Sequence, residues 1–161
     1  MFPIFRYTIT LLTTLLCGFK VCFASEPTNS GFNLIVVGDP QPQTEEQISR
    51  LELELLPRIR QVVEEYQATS ELPVAILLTG DVVWDTMEFL PRVKADFESL
   101  GVPLYSVIGN HDHDLSATTD EEGARRFEEH FGPSYYSFNI GKQHFVVLDN
   151  VIMTTIDGKL V

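Results

Sequence analysis

The stretch FNLIVVGDPQ, Phe32 to Gln41, sets an almost unbroken run of apolar, β-branched side chains against an abrupt glycine, carboxylate and proline. A short apolar run bounded by turn residues predicts a buried strand that stops at Gly38-Asp39-Pro40. The same pattern recurs twice: Val74 to Leu78 stops at Gly80-Asp81, and Val102 to Ile108 stops at Gly109-Asn110. Between the first two runs, Thr44 to Gln67 places Ile48, Leu51, Leu55, Ile59 and Val63 at spacings of three and four, which predicts a helix with Pro57 as a kink. Met87 to Leu100 predicts a second helix.

Strands alternating with helices imply an α/β fold with parallel strands joined by right-handed crossovers. In such sheets ligands sit beyond the carboxyl ends of the strands. Asp39, Asp81 and Asn110 are therefore expected on one edge. Further on, an acidic helix is expected from Asp120 to Phe131. A hairpin is expected from Tyr135–Ile140 and Gln143–Leu148 around Gly141-Lys142. After Asn150 the chain reads as a polar tail, and Asp149-Asn150 as turn chemistry. No internal repeat, low-complexity tract or linker divides the chain, so residues 25–161 are expected to form one domain.

The first 24 residues have a different character, with Arg6, an apolar run from Ile9 to Phe19 and Cys22-Phe23-Ala24 before Ser25. They predict a cleaved secretory leader, residues 1–24, and an exported protein, periplasmic or secreted. The apolar run falls short of the roughly 20 residues a spanning helix needs, and Lys20 interrupts it, so no lasting membrane insertion is expected. Both cysteines, Cys17 and Cys22, fall in this leader, which leaves the mature part without a disulfide or a metal-binding thiolate. A lipid-modified cysteine is a minor alternative. Loss of the leader removes Arg6 and Lys20 and takes the formal charge from -12 to -14. So acidic a chain is a poor partner for a nucleic-acid backbone. A small anionic substrate stays compatible with it, because a bound cation reverses the local field.

Each predicted strand end supplies oxygen or imidazole donors: Asp39 and Gln41 in GDPQ, Asp81 in GDVVWD, and Asn110 and His111 in GNHD. A mixed set without cysteine suits Mn, Fe, Zn or Mg rather than a structural zinc. A carboxylate such as Asp81 suits a bridge between two divalent ions, the arrangement used for in-line attack on phosphorus. Any one of these dipeptides alone also reads as a strand-to-turn element whose side chain bonds its own backbone. The joint pattern at three strand ends is what points to a site. Asp85 and Asp112 are candidate supports that hydrogen-bond His111 and fix its tautomer, with loop solvation as the alternative. Trp84 either lines the pocket mouth or covers the sheet end. His113 either reaches the site or belongs to a polar loop, and His130 and His144 read as surface or core residues.

With these motifs the chain resembles the calcineurin-like metallophosphoesterases over about Phe32 to Asn150. More narrowly, GDPQ, GDVVWD, GNHD and FGPSYYSFNIGKQHFVVLDN look like an exported bacterial branch with Asp-Pro-Gln at the first motif. The resemblance implies a β-sandwich of two sheets flanked by helices, with two metal ions at the sheet edge and a small phosphomonoester or phosphodiester as substrate. It implies Asp39 as a ligand of the first ion, Asp81 as the bridge, Asn110 as a ligand of the second, and His111 as proton donor or phosphate contact.

Gln41 stands where the wider superfamily has a histidine. As a ligand it would favour Mn, Mg or Fe over Zn, and otherwise it caps the turn after Pro40. The family also supplies an isolated histidine and a Gly-His-x-His after the hairpin, and neither follows Asn150 here. The expectation is therefore an N-terminal portion, with the C-terminal part missing. The alternative is a shortened, catalytically inactive chain. A nucleotide-binding module is disfavoured, because no phosphate-cradling glycine-rich loop follows any strand.

Overall fold

Three of the apolar runs become strands of a parallel sheet, but only the central one is buried on both faces; the first, expected to be buried, is half-buried, with Val36 58% exposed. β1 (Asn33–Val37), β2 (Val74–Leu78) and β3 (Leu104–Ser106) lie parallel in that order, with Val37 opposite Leu78 and Leu78 opposite Ser106. The computed structural model of the chain describes residues 31–161, so the leader predicted over residues 1–24 lies outside the described residues. β3 is shorter than its apolar run. Pro103 has no N–H to give at its start, and after Ser106 only the Val107 N–H still reaches across, to the Leu78 carbonyl at 2.9 Å.

The first crossover begins at Thr44, whose hydroxyl accepts from the Gln47 N–H while the Gln47 side chain accepts from the Thr44 N–H. This reciprocal cap, with Glu45 and Glu46 in the first turn, starts α1 (Glu45–Arg50). Pro57 does not end the helix. Leu51–Leu55 widens into a π turn, in which the Leu56 N–H donates to the Leu51 carbonyl, and α2 (Leu56–Thr69) runs on. The widening absorbs the donor that proline lacks, so the expected kink takes this form. The second crossover is a short 3-10 turn, Met87–Phe89, followed by α3 (Leu90–Glu98), with Pro91 in its first turn where no N–H is needed. These helices cover one face of the sheet, burying Ile48, Ile59 and Phe97 against Ile76 and Leu78.

After α4 (Asp120–Phe131), the hairpin of β4 (Tyr136–Ile140) and β5 (Gln143–Val147) covers the other face. Phe138 stacks on Tyr105 of β3 with ring centroids 3.5 Å apart, and Phe145 lies against both Phe138 and Phe32. The architecture is thus α/β, with helices on one side of the parallel sheet and a second, antiparallel sheet on the other. The Tyr136 hydroxyl accepts from the Ser106 N–H at 2.9 Å and donates to the Ser106 carbonyl at 2.8 Å. That phenol closes the outer edge of β3, which would otherwise offer unpaired backbone groups.

The tail from Asn150 is more ordered than its polarity suggested. β6 (Thr155–Ile156) and β7 (Lys159–Leu160) form a small hairpin around Asp157-Gly158, both at positive φ (52° and 78°). Asp-Gly was the legible signal for this turn, and strands this short hid it. Leu160 is buried against Gly123 of α4, which anchors the hairpin. Among the described residues no helix is long and apolar enough to cross a membrane.

Replacing Tyr136 with phenylalanine removes both bonds to Ser106 without changing the ring. The expected loss is about 1 kcal/mol of unfolding free energy. Urea denaturation of Tyr136→Phe beside the parent checks it, and an unchanged midpoint would remove the phenol from the account of the β3 edge.

Candidate functional site

The loops after β1, β2 and β3 meet because two glycines let backbones approach. A Cβ added at Gly109 would collide with the amide nitrogen and carboxylate of Asp81, and Gly80, at φ +100°, lies directly against the Gly109 backbone. The loop after β2 is the middle piece. On one side the Gln41 N–H donates to the Asp81 carbonyl (3.1 Å), and the Thr86 hydroxyl donates to the Pro42 carbonyl (3.0 Å). On the other side the His111 N–H donates to Asp81 Oδ1 (3.1 Å), and the Asp85 N–H donates to the His111 carbonyl (3.0 Å).

Backbone strain gathers at the same place. Among the described residues five non-glycine positions have positive φ, and four of them are Asp39 (46°), Gln41 (26°), Asp81 (48°) and Asp85 (55°). Aspartate enters this region more readily than glutamine, and residues held there commonly cost about 1–3 kcal/mol each. These four residues lie in the loops after β1 and β2, and two adjoining strand-end loops that hold such conformations together are more than simple turns.

His111 is half-buried at this junction. Its Nδ1 lies 2.9 Å from Asp85 Oδ1, and because a carboxylate only accepts, Nδ1 carries the proton and Nε2 is left facing outward from that pair. Asp85 thus sits where a support for His111 was expected.

Asp112 does not, and the expectation that it bonds His111 is corrected. Its fully buried carboxylate accepts from the Val83 N–H (3.0 Å) and the Gly109 N–H (2.8 Å), tying the second and third loops together from beneath. Burial pushes its pKa up to about 7, against the pull of those N–H donors. His113 is also turned inward. It is 1% exposed, with Nδ1 donating to the Gly109 carbonyl at 3.1 Å and Nε2 lying 3.5 Å from the Asp120 carboxylate. His144 is exposed and bonds Asn139, and His130 is half-buried on α4.

The remaining donors are Asp39 and Asn110, both exposed, and Gln41 and Asp81, both half-buried. Two carboxylates and two amide oxygens fit a hard divalent cation. They fall short of the donors two six-coordinate ions require, and among the described residues no group of three or more His, Cys, Asp or Glu side chains is placed to hold a metal. Beside Gln41 opens a cleft of about 390 Å³ whose lining includes Gln47, Arg50 and Arg58.

Parallel strands ending in carboxylate-bearing loops, beside an imidazole held by a carboxylate, define an α/β protein whose chemistry lies at the carboxyl edge of the sheet. Residues 32–158 match the calcineurin-like phosphoesterase family, and the chain belongs to that family. No curated protein matches the chain.

Two outcomes follow from the strain and from the buried acid. Gln41→Gly, which relieves a left-handed non-glycine residue, is expected to raise stability by about 1 kcal/mol while weakening metal binding. Thermal unfolding and metal titration of the variant check both halves.

For Asp112 the folded-state pKa lies above the unfolded value of 3.8, so the folded chain holds the proton more tightly. Its contribution is complete below about pH 4 and is lost as pH rises toward 7, on the order of 2–4 kcal/mol in the metal-free chain. The difference in stability between the parent and Asp112→Asn should therefore change across pH 4–7, and a pH-independent difference would contradict the buried, protonated acid.

Proposed function

We propose that the chain is an exported, metal-dependent hydrolase of small phosphomonoesters or phosphodiesters, working with two divalent cations (Mn, Fe, Mg or Zn). The observation that carries this reading is Asp81, which sits between the first and third strand-end loops and is bonded to both. In this reading Asp39, Gln41 and Asp81 would hold one cation, and Asp81 and Asn110 would hold the other. The chemistry that divalent cations would supply there is neutralisation of phosphoryl oxygens and a lowered pKa for an attacking water.

The chain's own contribution is His111. Asp85 fixes its ring through Nδ1, so Nε2 is the free edge; in the imidazolium form its Nε2–H would donate to a phosphoryl oxygen or pass that proton to the departing alkoxide, leaving the neutral ring with its proton on Nδ1. The exposed Asp39 and Asn110 leave the site open to a small ester. Export fits the leader and a mature part without cysteine.

A second reading, a phosphoesterase fold that binds without turnover, is favoured by the shortage of carboxylate and imidazole donors.

The two separate in one experiment. The purified chain, loaded with Mn and given bis(p-nitrophenyl) phosphate, should bind metal and turn over. Asp81→Ala should lose both properties, and Asp85→Asn should lower kcat by about 10- to 100-fold with metal retained. A parent chain that binds neither Mn nor substrate would refute the enzymatic reading. Metal binding without hydrolysis would select the second.

A further inference from the structure

Trp84 follows the strand-end motif Gly80-Asp81 by three positions and is the one tryptophan in the chain. Its indole lies parallel to the His111 imidazole, with centroids 3.9 Å apart and planes inclined by 20°. The same imidazole is held at its edge by Asp85 Oδ1 at 2.9 Å, and the backbone of Asp85 is bonded to the backbone of His111. A hydrogen bond at one ring nitrogen fixes where that nitrogen lies but leaves the ring free to swing about the Nδ1–carboxylate line. A flat surface against one face removes that freedom. Trp84 is 39% exposed, so its burial is not what holds it there, and an exposed indole laid over the face of His111 is an unusual use of a large apolar side chain.

We propose that Trp84 is a positioning residue: it fixes the plane of the His111 imidazole so that Nε2 points at the phosphoryl or leaving-group oxygen. Trp84 acts through His111 and does not itself touch the reacting atoms. The inference rests on the phosphoesterase reading for its catalytic consequence, whereas the stack stands on geometry alone. It accounts for a feature the hydrogen bonds leave unexplained, namely why a tryptophan immediately precedes the strained Asp85 in GDVVWD. Asp85 at φ 55° turns the chain so that residue 84 covers a face of the ring while residue 85 reaches its edge.

The test compares Trp84→Phe, which keeps a flat ring, with Trp84→Leu, which keeps apolar bulk and loses the flat face. In the Mn-loaded full chain acting on a p-nitrophenyl phosphodiester, Trp84→Leu should lower kcat about 10- to 100-fold, the range expected of a misplaced catalytic group. KM should stay within about threefold, because ground-state binding is untouched, and Trp84→Phe should stay within about threefold of the parent in kcat. A merely structural role would make the leucine and phenylalanine variants behave alike, and that result overturns the proposal.

A second measurement does not depend on turnover. Because Trp84 is the sole tryptophan, its fluorescence reports the stack directly. His111→Ala should raise the emission by removing the stacked imidazole, and an unchanged spectrum overturns the stack while leaving the phosphoesterase reading intact. A parent chain that takes up Mn without hydrolysing the ester overturns that reading and the catalytic use of the stack together, even where the fluorescence shows the rings in contact.

Discussion

The buried carboxylate of Asp112 is the tie on which the edge of the sheet depends. It accepts the backbone N–H groups of Val83 and Gly109 from two different loops, and so satisfies donors that no strand or helix can reach. Take that carboxylate away and two buried N–H groups lose their partners at the point where Gly80 and Gly109 press together. Separation of those loops would break the His111–Asp81 bond and the double contact between Asp85 and His111. Asp81, Asp85 and His111 at the mouth of the candidate site are therefore positioned by a carboxylate buried beneath them.

This arrangement explains why strain can persist at Asp39, Gln41, Asp81 and Asp85. A left-handed aspartate in a free loop relaxes, but here each loop is held by bonds to its neighbour and by a strand whose ladder ends immediately before it. The rigid part is the sheet, packed by helices on one face and by the aromatic stack of Tyr105, Phe138 and Phe145 on the other. Fixed strand ends and short, cross-bonded loops let the scaffold hold donors in conformations that local preference disfavours.

The alternation of strand and helix was legible because buried parallel strands require continuous apolar runs, and the glycine-plus-polar stops located the loops. Pro57 as an interruption was legible too, although the π turn was not, since it depends on how the whole helix lies on the sheet. Asp112 and His113 were misjudged or left open for a common reason. Polarity in a loop says nothing about which side of the loop a side chain faces, and both turn inward, toward backbone groups whose need for partners appears only after the loops are packed. The β6–β7 hairpin was missed because two-residue strands carry no periodicity, and its anchor, Leu160 on Gly123, is a contact between distant parts of the chain.

Charge sets the last constraint. A chain with formal charge -12 repels phosphoesters at long range, so binding one requires the local field to be reversed within about a Debye length of the site, roughly 8–10 Å at physiological salt. Arg50 and Arg58 beside Gln41 supply some positive charge, but Arg50 leans 3.7 Å from Glu54 and both stand in an open cleft where water screens them. Asp39 and Asp81 add negative charge where the phosphoryl group would lie. Carboxylates there favour an anionic substrate only through cations of higher charge density, which is the reason a cation-free edge of this composition would be a poor phosphate site. The acidity of the loops and the affinity for an anion are compatible because the same carboxylates that repel the substrate are the ones able to hold what attracts it.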